Sequence, residues 1–214
     1  MPRAAKPTPP TLVLLVRHGH TPTTGRLLTG QAPGLHHDDQ GRRQAQALAE
    51  RIGRLKQVAA VYASPLERAR ETAAPIAEVR RLAVEVEPEL TDGDFGTWTG
   101  LRLAALRRKP EWKVVQRYPS GFRFPGGESF VEMQTRMTST LARLVLRHPG
   151  QTVVAVSHAD PIKLAVGQAL GAHLDLFQRI AVAPGSITAI AYGVTGPVVL
   201  GLNWVDGAAG PRIS

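Results

Sequence analysis

Residues 12–21 read Leu12-Val13-Leu14-Leu15-Val16-Arg17-His18-Gly19-His20-Thr21. Five apolar residues bounded by Pro9 and Pro10 upstream and by Gly19 downstream have the length and flanks of a buried parallel strand rather than a helix. Arg17 and His18 then fall at its carboxyl end. In open α/β sheets that edge is where ligands bind, because the strand ends and the loops leaving them form a crevice. A guanidinium beside an imidazole at such a place points to phosphate chemistry.

Two further stretches repeat the strand-to-helix pattern. Residues 58–63 read as a second strand that runs into Ser64-Pro65-Leu66-Glu67, a capping-box sequence with proline in the first helical position, which predicts a helix from residue 64 or 65. Arg68 then lies in the first turn of that helix. Residues 152–156 read as a third buried strand, followed by Ser157-His158-Ala159 and by Asp160-Pro161, a predicted N-cap and first position of a helix ending at Gly171. Between these units, Ala45, Leu48, Ile52 and Leu55 recur at helical spacing behind Asp38, Asp39 and Gly41, predicting a helix over 41–56. Phe130, Met133, Met137, Leu141 and Leu144 predict another, up to about His148. Short strands are expected at 82–86, 186–192 and 198–202. This alternation predicts an α/β fold, a three-layer α/β/α sandwich on a mostly parallel sheet. Residues 91–100 are turn-rich and carry Asp92 and Asp94, and residues 101–127 mix basic and aromatic residues with prolines and glycines. Residues 93–127 or so therefore read as a small cap inserted over the site. A single domain over 11–214 is expected, preceded by a disordered Pro-rich tail over 1–10.

Composition narrows the function classes. The formal net charge is +9, and 21 of the 26 basic residues are arginine, which invites a nucleic-acid reading. Most of these arginines are scattered along predicted helices and only 5% of residues are aromatic, so solvated helix faces account for the excess and no nucleic-acid partner is expected. The one dense stretch, Arg102 to Lys113, would steer anionic substrates. There is no cysteine, which excludes disulfides, thiolate nucleophiles and iron–sulfur clusters and fits a cytoplasmic location. The basic N-terminus lacks a signal-peptide apolar region and no apolar run approaches 18 residues, so no membrane association is expected.

If the three strands are neighbours, Arg17, His18, Arg68 and His158 converge at one sheet edge. Only an anion, a phosphoryl group above all, would relieve their mutual repulsion. The helix N-termini expected after Ser64 and Asp160 add partial positive charge.

The same residues resemble the histidine phosphatase superfamily in its phosphoglycerate-mutase-like branch. Arg17-His18-Gly19-His20-Thr21 is similar to its Arg-His-Gly-x-Thr signature. The likeness continues through Gln31, Gly41 with Gln44-Ala45, and the run from Ser64 to Ala73. It then takes in Asp94-Phe95-Gly96-x-Trp98-x-Gly100, the segment 125–129 and Ser157-His158. The resemblance implies that His18 is a nucleophile forming a phosphohistidine, and that Arg17, Arg68 and His158 neutralise the phosphoryl oxygens. Thr24 and Ala159 join them as substrate-binding candidates. Asp92 aligns with the general acid and should have a raised pKa. That position is usually glutamate, so Asp94 and Glu128 are rival acids, and His20 and Thr24 depart from residues common in the family. No metal or cofactor is implied. The expected activity is metal-free hydrolysis of small phosphomonoesters, the partner being a small phosphorylated metabolite. The alternatives are a phosphomutase, a non-catalytic phospho-ligand or nucleic-acid module, and a metal-dependent hydrolase built from His18, His20, His36, His37, His158 and Asp160. The segment His36-His37-Asp38-Asp39 matches no family pattern and reads as a solvated turn or a substrate-contacting segment.

Overall fold

The computed structural model describes residues 9–205, so the expected N-terminal tail lies outside the described residues apart from Pro9 and Pro10. Strands β1 (Thr11–Arg17), β2 (Ala60–Ala63), β3 (Val84–Val86), β4 (Thr152–Ser157), β5 (Ile187–Gly193) and β6 (Gly196–Trp204) form one sheet in the order β3-β2-β4-β1-β5-β6. The four strands from β3 to β1 run parallel, and β5 and β6 complete the sheet antiparallel. Crossover helices of the parallel half are α1 (Asp39–Gly53), α2 (Glu67–Arg80) and α5 (Phe130–Arg147), with α6 (Ala159–Ala169) following β4. Two short helices, α3 (Leu103–Leu106) and α4 (Glu111–Arg117), belong to the segment between β3 and α5.

Strand alternation divides the core into two layers. Leu14, Val16, Val61, Ala63, Val154 and Val156 face α1 and α2, where Leu48, Ile52, Ala69, Ala73 and Ile76 meet them. Val13, Leu15, Tyr62, Val153 and Ala155 face the other way onto Met137, Leu141 and Leu144 of α5 and Ile162, Ala165 and Val166 of α6. Both faces of the parallel half are therefore buried, which is why those strands read as unbroken apolar runs. A third cluster, aromatic in character, packs Phe95, Trp98, Phe124, Phe130 and Phe177 with Leu106 and Val115, tying the inserted segment to α5 and α6.

Three helix starts differ from the sequence expectation. Helix α2 begins at Glu67, with Leu66 as an N-cap that makes no side-chain bond. Ser64 is drawn instead into a hydrogen bond with His158. Helix α6 begins at Ala159 with His158 as N-cap, so Asp160 and Pro161 stand inside the first turn and Asp160 caps nothing. Helix α1 starts at Asp39, earlier than expected, because Asp38 Oδ1 accepts from Gly41 N at 2.9 Å and caps the helix. Among the described residues no helix is long and apolar enough to cross a membrane.

Candidate active site

Strand β4 lies between β1 and β2, with Arg17 opposite Ser157 and Ala63 opposite Val156. The carboxyl ends of the three strands are thus adjacent, and the loops leaving them deliver His18, Ser64, Arg68 and His158 to one place. All four are buried. A cavity of about 260 Å³ opens at His18, lined by Arg17, His18, Thr24, Asp92, Ala159 and Asp160, with Leu27, Leu28, Phe95 and Leu103 as its apolar part; Arg68 and His158 are not in the lining but reach it through Asp92 and His18.

The geometry of His18 sets its protonation. Its Nδ1 lies 2.7 Å from Gly19 O, and a carbonyl can only accept, so Nδ1 carries the hydrogen and the Nε2 lone pair is free. Burial, reinforced by the charges of Arg68 and Arg17, holds its pKa well below the ordinary histidine value. The ring is therefore neutral near pH 7. His158, with its ring centroid 5.0 Å from that of His18, is likewise held well below the ordinary value, by burial first and then by His18, Arg68 and Arg17. Its Nε2 lies 2.8 Å from Ser64 Oγ, which also accepts from Leu66 N at 3.3 Å. We assign Ser64 as the donor to Nε2, since the hydrogen of His158 then sits on Nδ1, facing Asp92 Oδ2 at 3.7 Å.

Several donors around this pair have no protein partner. Arg17 donates to Val182 O at 2.7 Å and Arg68 donates from Nη2 to Gly30 O at 2.7 Å. Yet Arg17 Nε, Arg68 Nε, Arg68 Nη1 and His158 Nδ1 are buried and unbonded. Leaving a buried donor unsatisfied costs about 1–3 kcal/mol each. Such a cluster is maintained in a fold when a ligand satisfies it.

Asp92 completes the site from the loop after β3. Its Oδ2 is 3.2 Å from Arg68 Nη2 and 3.7 Å from His158 Nδ1, and its Oδ1 accepts from Gly93 N at 2.9 Å. Burial pushes its pKa up to about 6, against the opposing pull of Arg68 and with help from Asp160. The rival carboxylates are placed differently. Asp94 is exposed and accepts from Gly96 N. Glu128 is paired with Arg136 at 2.8 Å and accepts from Asp94 N, so it braces the loop. Neither lines the cavity. Thr24 does, though its hydroxyl also accepts from Thr21 N at 3.0 Å.

The histidine-rich segment does not line the cavity; His36 and Asp39 are exposed, as a solvated turn requires, but His37 faces inward. His37 is buried, with Nε2 2.9 Å from Thr72 Oγ1, and Thr72 Oγ1 accepts from Gly19 N at 3.0 Å. His36 bonds Glu71 on the surface, and His20 bonds Asp38 Oδ2 at 2.6 Å. The imidazoles considered as metal ligands thus point to separate partners, and among the described residues no three His, Asp or Glu side chains converge as a ligand group. Thr72, His37, Ser64 and Gln44, whose Oε1 accepts from His20 N at 2.8 Å, are supporting residues; sequence pattern offered Ser64 only as a helix cap and His37 only as a metal-ligand or loop candidate, and assigned no individual role to Thr72 or Gln44. The glycines of this layer are sterically required. A Cβ on Gly41 would lie 2.1 Å from His20 O, and one on Gly19 would lie 2.7 Å from Gly41 O.

Known proteins share this fold. The model of the histidine phosphatase superfamily, branch 1, matches residues 13–205. The chain belongs to that superfamily. A bifunctional protein of Mycobacterium tuberculosis is 38% identical over 174 residues, spanning 80% of this chain but 47% of its own length. The chain therefore spans about half the length of that relative. Phosphoserine phosphatase 1 of Hydrogenobacter thermophilus is 31% identical over 203 residues, covering 89% of this chain and 91% of the relative. The crystal structure of the alpha-ribazole phosphatase from Shigella flexneri superposes with a TM-score of 0.79 at 26% identity, covering 92% of this chain and 99% of that one.

Proposed function

We propose that this histidine phosphatase hydrolyses small phosphomonoesters through a phosphohistidine on His18, without a metal ion. The observation that carries the proposal is a neutral imidazole with a free Nε2 lone pair, set among four buried donors that no protein group satisfies. The phosphoryl group of a small phosphorylated metabolite would take up Arg17 Nε, Arg68 Nε and Nη1 and His158 Nδ1, supported by Thr24 and by the α6 N-terminus at Ala159. His18 Nε2 attacks phosphorus and forms the P–N bond as the P–O bond to the alcohol breaks. Asp92 gives its proton to the departing oxygen. Its ionised carboxylate then takes a proton from water, whose oxygen attacks phosphorus, breaking the P–N bond and restoring both groups. The surrounding cations stabilise the equatorial oxygens in each step. Relatives named as phosphoserine and alpha-ribazole phosphatases support hydrolysis over transfer to a second alcohol.

The test is p-nitrophenyl phosphate hydrolysis in excess EDTA by the wild type and by His18→Ala. Turnover by the wild type that His18→Ala abolishes is expected. Equal turnover by both proteins would remove His18 from the nucleophile role. Turnover lost with EDTA would remove the metal-free mechanism.

A further inference from the structure

Beside the phosphate-binding donors, the cavity contains a second polar pair that the proposed mechanism leaves unused. Asp160 and Lys163, one turn apart on α6, both line it. Lys163 is held in place. Its Nζ lies 3.3 Å from Asp160 Oδ1 and 3.3 Å from Gln178 Oε1, and 5.7 Å from the centroid of the Phe177 ring. An ammonium has three donors, so one is left for a ligand. Asp160 Oδ2 has no partner among the described residues. The pair therefore offers one acceptor and one donor in a cavity whose lining also includes Leu27 and Leu103.

The charge balance narrows what can bind. Arg17, Arg68 and Lys163 set against Asp160 leave two positive charges when Asp92 is protonated and one when it is ionised, so a phosphate dianion leaves no net positive charge in either state. The rest of the substrate then meets a subsite of no net positive charge. We infer that Asp160 and Lys163 form the recognition site for the leaving alcohol, and that they select a net-neutral alcohol able to donate to Asp160 and accept from Lys163. A polyhydroxylated alcohol or a zwitterionic amino acid meets that requirement. A carboxylate without a compensating ammonium does not. This inference rests on the proposed phosphatase reading, but its test does not.

The experiment compares glycerol 3-phosphate, O-phosphoserine and 3-phosphoglycerate with p-nitrophenyl phosphate, which lacks the hydrogen-bonding groups. Equilibrium binding is measured to His18→Ala, and kcat/KM is measured for enzymes with His18 intact. Ratios within one protein cancel any general loss from the substitutions. The net-neutral ligands should exceed 3-phosphoglycerate by about tenfold, the worth of one charge-assisted hydrogen bond at its lower limit. Asp160→Asn removes the negative charge and should shift the balance toward 3-phosphoglycerate by a similar factor, whereas Lys163→Met should shift it the other way. Which net-neutral ligand leads distinguishes hydroxyl from zwitterion recognition. Preference of the unsubstituted subsite for 3-phosphoglycerate, or ratios unmoved by Asp160→Asn, would overturn the inference. Absence of all turnover with these binding ratios intact would count against the phosphatase reading alone.

Discussion

Asp92 joins catalysis to stability, and Asp92→Asn separates them. In the unfolded chain the carboxyl titrates near 3.8 and in the folded protein near about 6. A group whose folded pKa is raised binds its proton more tightly in the native state, so its favourable contribution is present at low pH and disappears as pH rises through about 6. The shift of roughly two units corresponds to about 3 kcal/mol at 1.36 kcal/mol per unit. This is the cost, above pH 6, of keeping an ionised carboxylate at a position only 13% exposed despite its contact with Arg68. Asparagine mimics the protonated form. Near pH 4, where the folded carboxyl is already protonated, the substitution should gain only about 0.5 kcal/mol by the same linkage. At pH 8 it should gain about 3 kcal/mol, raising Tm by roughly 6–12 °C for a chain of this size.

Thermal unfolding of both proteins between pH 4 and pH 8 measures this directly. The same variant should lose about 10²–10⁴-fold in kcat/KM toward alkyl phosphates, whose poor leaving group needs the proton, and far less toward p-nitrophenyl phosphate. For the wild type, activity on alkyl phosphates should fall as pH rises through about 6. If Asp92→Asn lowers Tm at pH 8, or if the Tm difference does not change with pH, then Arg68 dominates the carboxylate and the acid assignment fails.

Other substitutions probe the layer behind the nucleophile. Thr72→Val keeps the shape but leaves the buried Gly19 N without an acceptor, which should cost about 1–3 kcal/mol in denaturant unfolding; Thr72→Ser should restore most of it. Ser64→Ala removes the partner that places the hydrogen of His158 on Nδ1. It should lower kcat/KM by about tenfold or more, the scale of one charge-assisted hydrogen bond, and should change the imidazole tautomer seen by 15N NMR. Gly41→Ala would drive a methyl group into the His20 carbonyl and should abolish turnover or soluble expression. Leu141→Ala, far from the site in the core between the sheet and α5, should cost about 2–5 kcal/mol of stability with KM unchanged.

The parallel half of the fold was legible in the sequence because burial on both faces leaves an unmistakable trace. Residues 12–16 and 152–156 are unbroken apolar runs, and the helices between them keep their spacing. Helix starts were less legible. A capping-box sequence at Ser64 and an Asp-Pro pair at Asp160 are local preferences worth about 1 kcal/mol. Each gave way to a tertiary demand: Ser64 turns to His158, and Asp160 turns to Lys163 at the cavity wall. The paired edge strand β3 also begins two residues later than its alternation suggests, at Val84.

The site divides along the same line. Arg17, His18, Arg68 and His158 could be brought together from pattern because strand-end position is a one-dimensional property once the strands are known to be neighbours. Choosing Asp92 over Asp94 and Glu128 took three dimensions, since all three sit in or beside turn-rich sequence and only their neighbours differ. His37 shows the limit most plainly. Beside His36 and two aspartates it reads as part of a polar surface turn, yet its ring is buried against Thr72, which holds the Gly19 amide while the Gly19 carbonyl holds His18. Nothing in residue order distinguishes the histidine that faces inward from the one that faces out. That difference arises because the loop crosses the start of α1 where Gly41 and Gly19 let two backbones touch, and the adjoining imidazole is the group left beside Thr72. If this is the reason for its placement, His37→Asn should preserve the Thr72 contact and keep His18 reactive, whereas His37→Leu should slow phosphohistidine formation in rapid-quench measurements without changing KM. Equal rates in the two variants would mean that Thr72 positions Gly19 unaided.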